Sequence, residues 1–538
     1  MGTYQHGGKL LAEAVRAAYR EGISDYSMEP LVRIGKDGKP MGLIRDGDSV
    51  IFCCRRGERE IELTEAFTDP EFSHFERKFL KSINFVILTL YHEKFKNLPV
   101  AFAPAKIQCS LAETISKAGF KQLHCAESEK FAHVTYFFNG GNQPFPGEID
   151  RCIPSPKGVP FDQIPALSLP KVADEVIQGI HKGYEFIVTN FANGDVLGHT
   201  DNCEAKITCA SNVDFHLGRV IEAARKQGYV IGITADHGNL EVMLTDEGKP
   251  HVAHTSNPAP FILIDGSNDR AFNLCDGKLC DIAPTILQVL GLDQPAEITG
   301  TSLAPLYIFG IDRKMLLIIL DGWGIGKSDH TNPIFLGNTP VWDDLTARYP
   351  YARLCAAGEA VGLQKGKAGN SEAGHINMGS GRVVLQDDVR LDQAIKDGSF
   401  ESNEIFLQTI KWVKENHRAL HLIVLLTKKS SHGSIDYPLA LLKMAKDLPE
   451  IYIHIIFDGR STEPGSAPRL LEELDERIQE LEVKCQIVSG IGRGLALDRD
   501  GNYEKIKKAY ECMVLGVGMP YEDICHYDAS LENYLLRS

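Results

Sequence analysis

Short runs that are mainly apolar recur along this chain and constrain its fold more than any other feature. The clearest lie at 185–195, 229–238, 315–324, 420–426 and 451–460. Amphipathic stretches with a helical period stand between them, such as 214–227, 438–446 and 467–482. A strand that is apolar on both faces has no solvent side, so such runs are typical of parallel strands covered by helices. The sequence predicts an α/β protein with mainly parallel sheets.

Length and charge narrow the class of protein. A chain of 538 residues can bury large cores and is expected to form two or more domains. Its formal net charge of −15 argues against a general nucleic-acid or anionic-membrane binder. The 13 cysteines include no Cys-x-x-Cys pair, and the longest apolar run is too short to span a bilayer. We expect a cytoplasmic protein with neither nucleic-acid nor membrane partners.

Several strand-like runs end in side chains that bind metals. Asp195 and His199 are four residues apart, which puts them on one face of a helical turn. Asp236 and His237 follow a buried run directly, and neighbouring side chains there point in opposite directions, which suits two adjacent metal ions better than one. Ligands commonly bind at the carboxyl ends of parallel strands, so the ends of these predicted strands form a candidate site. Two further segments contribute His251, His254 and Asp321.

The stretch GNSEAGH, residues 369–375, places a serine in a small polar turn. A turn that opens a helix exposes the Ser371 hydroxyl to free backbone N–H groups, a setting for an anion such as phosphate. An ordinary helix N-cap explains the same residues equally simply.

Taken together, these residues are carboxylates, imidazoles and a hydroxyl, without thiolates. Oxygen and nitrogen ligands favour manganese, magnesium or zinc, and paired metals commonly stabilise both oxygens of a phosphoryl transfer. Ser371 would then be a metal-activated nucleophile.

The chain also resembles a known family across nearly its whole length. The strings LDGWGIG, GNSEAGHINMGSGR, ESEKFAHVTYFFNGG, NFANGDVLGHT, TADHGN and AHTSNPAPF are similar to those of the cofactor-independent (2,3-bisphosphoglycerate-independent) phosphoglycerate mutases. These enzymes belong to the alkaline-phosphatase superfamily, so the resemblance implies a metal-binding phosphatase-like domain and a phosphotransferase (substrate) domain.

The resemblance also implies roles for individual residues. Ser371 would form a phosphoserine, and two divalent metal ions, most simply Mn²⁺ with Zn²⁺ or Mg²⁺ as alternatives, would be bound at the centre. One metal would be held by Asp195, His199 and His254, and the other by Asp321, Ser371, Asp236 and His237. A substrate with carboxylate and phosphate groups calls for basic side chains. The matching ones are His432, Arg460, Arg493, Arg499, Arg56, Arg59 and Lys130.

The order of the segments departs from the family. The LDGWG strand opens the chain in the family, whereas here it begins at Met315, so the sequence looks circularly permuted. The predicted parts are a substrate domain at 1–98 and 388–538, a metal domain at 106–310 and 314–384, hinges at 99–105 and 385–387, and a permutation linker at 300–314.

The residues expected to bind the substrate also depart from the family pattern. The family's Ser-Asp-Gly-Gly-Val before its histidine is replaced by residues 427–431, and its Arg-Asp-Thr reads Arg460-Ser461-Thr462. That Asp is expected to move protons on the glycerate hydroxyls, and Lys428, Lys429 or Ser461 are candidates to replace it.

The resemblance implies a monomeric isomerase that interconverts 3-phosphoglycerate and 2-phosphoglycerate in glycolysis and gluconeogenesis, acting on a small phosphorylated substrate. The altered loop keeps two alternatives open. One is a metal-dependent phosphohydrolase or mutase for another phosphate ester, and the other is a catalytically weakened binding homologue.

Overall fold

The computed structural model describes residues 6–55, 59–104, 107–265, 272–430 and 432–521. The chain separates into two compact units. Unit 1 comprises Met1–Pro104 and Arg390–Ser538, and unit 2 comprises Ala105–Val389. Each unit contains one eight-stranded sheet.

The strands are numbered in chain order. They are β1 (Leu31–Arg33), β2 (Ser49–Phe52), β3 (Asn84–Thr89), β4 (Val100–Phe102), β5 (Gln122–Glu127), β6 (Glu148–Ile153), β7 (Phe186–Phe191), β8 (Val230–Thr234), β9 (Ala259–Asp265), β10 (Gly277–Lys278), β11 (Met315–Leu320), β12 (Tyr351–Cys355), β13 (Leu420–Leu426), β14 (Ile451–Phe457), β15 (Gln486–Gly492) and β16 (Met519–Tyr521).

The α-helices are numbered in the same way. They are α1 (Gly8–Arg20), α2 (Ile61–Thr68), α3 (Leu111–Lys117), α4 (Leu169–Lys182), α5 (Asn193–Gly198), α6 (Cys203–Lys226), α7 (Ile282–Leu290), α8 (Pro333–Leu336), α9 (Pro340–Arg348), α10 (Ser371–Ser380), α11 (Asp387–Asp397), α12 (Glu404–Glu415), α13 (Asp436–Met444), α14 (Ala467–Glu480), α15 (Arg493–Ala496) and α16 (Tyr503–Leu515).

The sheet of unit 1 has the order β16-β1-β15-β14-β13-β2-β3-β4. Its central pairs β15/β14, β14/β13 and β13/β2 are parallel, while β1 runs antiparallel to β15. Every residue of β13 is buried, because its apolar side chains meet helices on both faces of the sheet. The two parts of the chain that form unit 1 therefore share one sheet, with β2 from the first part beside β13 from the second.

The sheet of unit 2 has the order β10-β12-β9-β8-β11-β7-β5-β6. Strand β11 lies at its centre, parallel to β8 on one side and to β7 on the other. All six residues of β11 are buried. Strand β9 is antiparallel to both β8 and β12, so the sheet is mixed at that side. The predicted α/β class with mainly parallel sheets is confirmed.

The predicted runs extend past the strands that they contain. The run 229–238 forms a strand only over β8, and the run 185–195 only over β7. Each strand ends where the chain turns away to present polar side chains. The helical stretch 214–227 is the second half of a longer helix, α6, whose start is capped by the Asn202 side chain accepting from the Ala205 N–H.

Two stretches singled out as connections have structure of their own. Strand β4 lies inside the proposed 99–105 hinge and pairs with β3. The 300–314 segment lies within unit 2, where Tyr307 and Phe309 pack into the core while Leu306 and Ile308 are exposed. None of the helices in the described residues is long and apolar enough to cross a membrane.

The outermost described residues of unit 1 meet on one strand. The His6 carbonyl accepts from the Ile487 N–H at 2.7 Å. The Tyr521 hydroxyl donates to the Ile487 carbonyl at 3.3 Å. Residues from the two ends of the described chain are thereby joined through β15.

Candidate functional site

The sheet of unit 2 positions its acidic residues at one edge. Asp321 directly follows β11, Asp236 comes two residues after the end of β8, and Asp195 lies in α5 just after β7. Because these three strands are adjacent and parallel, their carboxyl ends lie side by side. The fold therefore brings the three carboxylates together.

Asp195, His199 and His254 form the first group of possible metal ligands. The Asp195 Oδ1 atom lies 3.3 Å from His199 Nε2 and 3.0 Å from His254 Nε2. Each histidine has its Nδ1 against a backbone carbonyl, that of Val252 for His199 and that of Gly369 for His254. An Nδ1–H that donates to a carbonyl leaves the Nε2 lone pair free, which is how metal-binding histidines are commonly oriented.

Ser371 is the centre of the second group. It is the first residue of α10, and the cap of that helix is Asn370, whose side chain accepts from the Ala373 N–H. The Ser371 Oγ atom lies 3.0 Å from His237 Nε2 and 3.3 Å from Asp321 Oδ1. The capping role thus belongs to Asn370, and the serine hydroxyl faces the acidic edge.

Lys130 lies in the middle of these groups. Its Nζ donates to Asp195 Oδ2 at 2.7 Å, to Asp321 Oδ1 at 2.9 Å and to Ser371 Oγ at 2.7 Å. The side chain is 5% exposed and precedes a short π-helical turn, His133–Phe137. The lysine thus links both groups of possible ligands through one ammonium.

The residues present are suited to divalent metal ions. Three groups in this centre have ligand atoms within 4.8 Å of one another: Asp195/His199/His254, Asp195/His237/Asp321 and Asp236/Asp321/His375. The Asp236 Oδ2 atom is buried and has no hydrogen-bond partner among the described residues. A buried carboxylate oxygen without a donor is costly, and a metal ion would satisfy it. All seven residues predicted as ligands lie in this centre, and the chemistry of the donors matches Mn²⁺, Zn²⁺ or Mg²⁺.

Burial and charge act against each other on the carboxylates. Burial opposes the charge of Asp195, but Lys130 and the two histidines hold its pKa well below the usual range. Burial, together with the neighbouring Asp321, raises the pKa of Asp236. The same edge therefore contains one strongly ionised carboxylate and one whose charge is unfavourable without a cation.

Glu241 is a buried residue of this centre that the sequence analysis missed. Its Oε2 accepts from the Asn239 N–H at 2.7 Å and from the Gly324 N–H at 3.0 Å. Its Oε1 accepts from the Asn257 side chain at 2.8 Å and from the Thr255 hydroxyl. Asn239 lies in the loop that carries Asp236 and His237. Thr255 and Asn257 lie in the loop that carries His254, and Gly324 lies in the loop that carries Asp321. One carboxylate therefore fastens the three ligand-bearing loops to each other.

Asn190 and His375 were also missed. The Asn190 side-chain amide donates to Asp321 Oδ2 at 2.6 Å and lies 3.0 Å from His375 Nε2. His375 directs its Nδ1 at the Ser371 carbonyl at 2.8 Å, and burial lowers its pKa to about 4. The four-residue spacing of Ser371 and His375 was visible in the sequence, whereas the partner of Asn190 was not. His251, considered with His254, contacts Lys206 through its backbone carbonyl instead.

The predicted basic residues fall into two places. Lys130 lies in the centre of unit 2. In unit 1, Arg59 follows β2, His432 follows β13, Arg460 follows β14 and Arg493 directly follows β15 as the first residue of α15. Those four strands are adjacent and parallel, so their carboxyl ends form one edge. Arg460 and Arg499 are exposed, and Arg56 lies outside the described residues.

The buried basic residues of unit 1 have protein partners. Arg493, 2% exposed, donates from Nη1 to Asp458 Oδ1 at 2.6 Å and to Ser461 Oγ at 3.2 Å. Arg59 donates to the Leu497 carbonyl at 3.2 Å. The His432 Nδ1 atom lies 3.4 Å from Glu60 Oε1. This edge is a second polar centre, built on an arginine rather than on clustered carboxylates.

Comparison with known proteins gives two family matches. Residues 33–294 match the family described as "Metalloenzyme superfamily", and residues 391–533 match the one described as "BPG-independent PGAM N-terminus". A 2,3-bisphosphoglycerate-independent phosphoglycerate mutase of Moorella thermoacetica is 47% identical over 300 residues. One of Thermosynechococcus vestitus is 45% identical over 300 residues. Over about half of its length, the chain is similar to the 2,3-bisphosphoglycerate-independent phosphoglycerate mutases.

The matches to these mutases are partial. They cover 55% and 54% of this chain, and the chain spans only 58% and 55% of the two relatives. A crystal structure of a Leishmania mexicana phosphoglycerate mutase is 28% identical with a TM-score of 0.41, covering 51% of this chain and 53% of that one. The mutase match described as an N-terminus falls in the last part of this chain. The circular permutation itself stays a prediction.

Proposed function

We propose that this protein interconverts 3-phosphoglycerate and 2-phosphoglycerate through a phosphoserine at Ser371. The observation that carries this proposal is the position of the Ser371 hydroxyl, which contacts Lys130, His237 and Asp321 in a chain related to phosphoglycerate mutases. A serine hydroxyl becomes a good nucleophile when the negative charge on its oxygen is stabilised, as it is by nearby cations and at the start of a helix.

Two divalent metal ions fit the donors of unit 2, and we propose Mn²⁺. Asp195, His199 and His254 would hold one, and Asp321, Asp236, His237 and Ser371 the other. When bound, such ions lower the cost of negative charge on the serine oxygen and on the phosphoryl oxygens. Lys130 would keep its ammonium within reach of Ser371 Oγ and stabilise the transferred phosphoryl group as a point charge.

The basic edge of unit 1 would bind the rest of the substrate. Arg493 and Arg59 are held by protein oxygens, and Arg460 and Arg499 are exposed. A guanidinium pairs with a carboxylate through two parallel hydrogen bonds, which fixes its orientation. We therefore assign unit 1 as the substrate domain and unit 2 as the metal domain of a monomeric, cytoplasmic enzyme.

A second function is favoured by one observation. Ser461 stands where the family has an aspartate, and its hydroxyl accepts from Arg493. If no group returns the phosphoryl to the glycerate, water would take it and the protein would be a phosphohydrolase.

One assay separates these functions. Purified protein with Mn²⁺ and without 2,3-bisphosphoglycerate would be given 3-phosphoglycerate, and both 2-phosphoglycerate and free phosphate would be measured. Ser371→Ala is expected to abolish turnover, whereas Ser380→Ala, at the other end of α10, should retain it. Phosphate without isomerisation would favour the hydrolase, and neither product from metal-loaded protein would favour a binding homologue.

A further inference from the structure

The structure bears on which residue of unit 1 could transfer protons to and from the substrate hydroxyls. Lys428 pairs with Glu473 at 2.8 Å and Lys429 pairs with Asp392 at 2.6 Å, and both lysine side chains are about half exposed. The Ser461 hydroxyl is engaged by Arg493. A serine or a surface lysine in an ion pair is poorly suited to exchange protons near neutral pH. None of the three candidates suggested by the sequence therefore serves well.

Glu60 and His432 form a pair at the same edge. The Glu60 side chain is fully buried, and neither of its carboxylate oxygens has a hydrogen-bond partner among the described residues. Its Oε1 lies 3.4 Å from the buried His432 Nδ1, which likewise lacks one. The His432 side chain is 13% exposed although its Nδ1 atom is buried, so the exposed atoms are others of the same side chain. The carboxylate therefore lies beside a buried nitrogen of a histidine that keeps some contact with solvent.

The surroundings of Glu60 determine the direction in which the pKa of its carboxyl is shifted. Burial raises the pKa of the Glu60 carboxyl, while His432 and Arg493 oppose that effect. Cys54 and Tyr91 are the other titratable groups that interact with it, and burial raises the pKa of both. A buried carboxyl beside an imidazole shares one proton with it readily, because either the neutral pair or the ion pair can form.

We propose that His432 is the proton-transfer group for the substrate hydroxyls and that Glu60 is its positioning residue. The proposal rests on the proposed mutase function. Glu60 would hold the ring with Nδ1–H toward its carboxylate and Nε2 toward the substrate, and it would stabilise the imidazolium, as a carboxylate does for histidine in hydrolytic triads. Histidine suits this role because its charge changes near neutral pH.

The proton count closes over one cycle. In the first half, the bond from phosphorus to the substrate oxygen breaks, that oxygen keeps the electron pair and takes a proton from His432 Nε2, and Ser371 Oγ bonds to phosphorus. In the second half, the other hydroxyl gives its proton to Nε2 as its oxygen bonds to phosphorus, and the Ser371 oxygen leaves with its electron pair. The serine begins and ends deprotonated, and His432 gives one proton and regains one.

The test compares His432→Gln, Glu60→Gln and Glu60→Asp with a control in the same loop, Lys428→Gln. For each, kcat and KM would be measured from pH 5 to 9 with saturating Mn²⁺, and thermal unfolding would verify folding. His432→Gln is expected to lower kcat by about 100-fold or more, the size of a general acid or base effect. Glu60→Gln should lower kcat roughly tenfold, and Glu60→Asp should recover part of it.

The pH profile of kcat distinguishes a positioning role of Glu60 from a purely packing role. The first half needs a protonated ring, so kcat should fall as pH rises, and loss of the Glu60 charge should move that fall to lower pH. An unchanged profile in folded Glu60→Gln, or a His432→Gln variant in which only KM rises, would overturn the proposal. Equal loss in Lys428→Gln would do so too. If the wild-type protein itself forms no 2-phosphoglycerate, the mutase function has failed instead.

Discussion

The Nε2 atoms of His199 and His254 lie 3.1 Å apart, with the Nδ1 of each ring against a backbone carbonyl. Two lone pairs that point at each other repel, so this arrangement is stable only with a cation or a proton between them. Burial opposes a positive charge on His254, but the neighbouring Asp195 raises the pKa of both rings, so this position favours positive charge. The pair is arranged as ligands are.

Replacing His254 should weaken metal binding. His254→Gln is expected to raise the Kd for Mn²⁺ at least about tenfold, because one of three converging donors is lost. The exposed His181 on α4 provides the control, and His181→Gln should bind normally. Calorimetric titration of chelator-treated protein would measure both. Mn²⁺ at about 100 times Kd should stabilise the wild-type fold by about 2.7 kcal/mol, which chelator would reverse.

Replacing Glu241 should loosen the same centre from a distance. In wild-type protein, both carboxylate oxygens of Glu241 accept hydrogen bonds. In Glu241→Gln an NH₂ group would replace one of these oxygens, so at least one buried donor would lose its acceptor. We expect a 10- to 100-fold weaker Mn²⁺ affinity, the usual effect of residues behind metal ligands. Glu247, in an exposed turn of the same region, gives the control Glu247→Gln. Equal affinities in the two variants would remove Glu241 from this role.

Asp48 makes the stability of unit 1 depend on pH. Burial opposes its charge, but His421 and the Arg45 and Ala419 N–H groups lower the pKa of its carboxyl. When folding lowers the pKa of a carboxyl, its ionised form stabilises the folded state. This stabilisation is fully present above the unfolded pKa of about 3.9 and is lost as the pH falls through the folded pKa. Asp48→Asn should therefore cost about 1–3 kcal/mol at pH 7 and less at pH 3. Urea unfolding at both pH values measures this, with exposed Asp447→Asn as the neutral control.

Strand β11 should be sensitive to cavities. Leu317 is 0% exposed at the centre of the unit 2 sheet, whereas Leu306 is 97% exposed. Leu317→Ala is expected to cost about 2–5 kcal/mol of unfolding free energy, since the surrounding helices cannot close the space. Leu306→Ala should stay within about 0.5 kcal/mol. Comparable losses from both would contradict the described burial.

The sequence predicted the parts of the site that depend on local pattern. A run such as Met315–Leu320 signals a strand buried on both faces, and parallel strands place the residues that follow them at one edge. Asp195, Asp236 and Asp321 could therefore be grouped before any coordinates. The fold class followed from the same pattern.

The sequence could not predict which loops meet. Glu241 and Glu60 look like ordinary solvated glutamates, and their burial depends on contacts between segments far apart in the chain. Lys130 was assigned to the substrate through a family resemblance, while in the structure it contacts Asp195, Asp321 and Ser371. The antiparallel strand β9 was missed because buried strands have the same composition in either direction.

The division of unit 1 between two distant parts of the chain also bears on how the protein folds during synthesis. Unit 2 is continuous and can fold once residue 389 has emerged. Strand β2 must wait for its neighbour β13, more than 360 residues later, which at 5–20 residues per second is on the order of 20 to 70 seconds. During that interval, β2 can pair with β3 on one side, while its other side lacks β13. A nascent chain of this protein would therefore carry an incomplete sheet at its beginning while its middle is already able to fold.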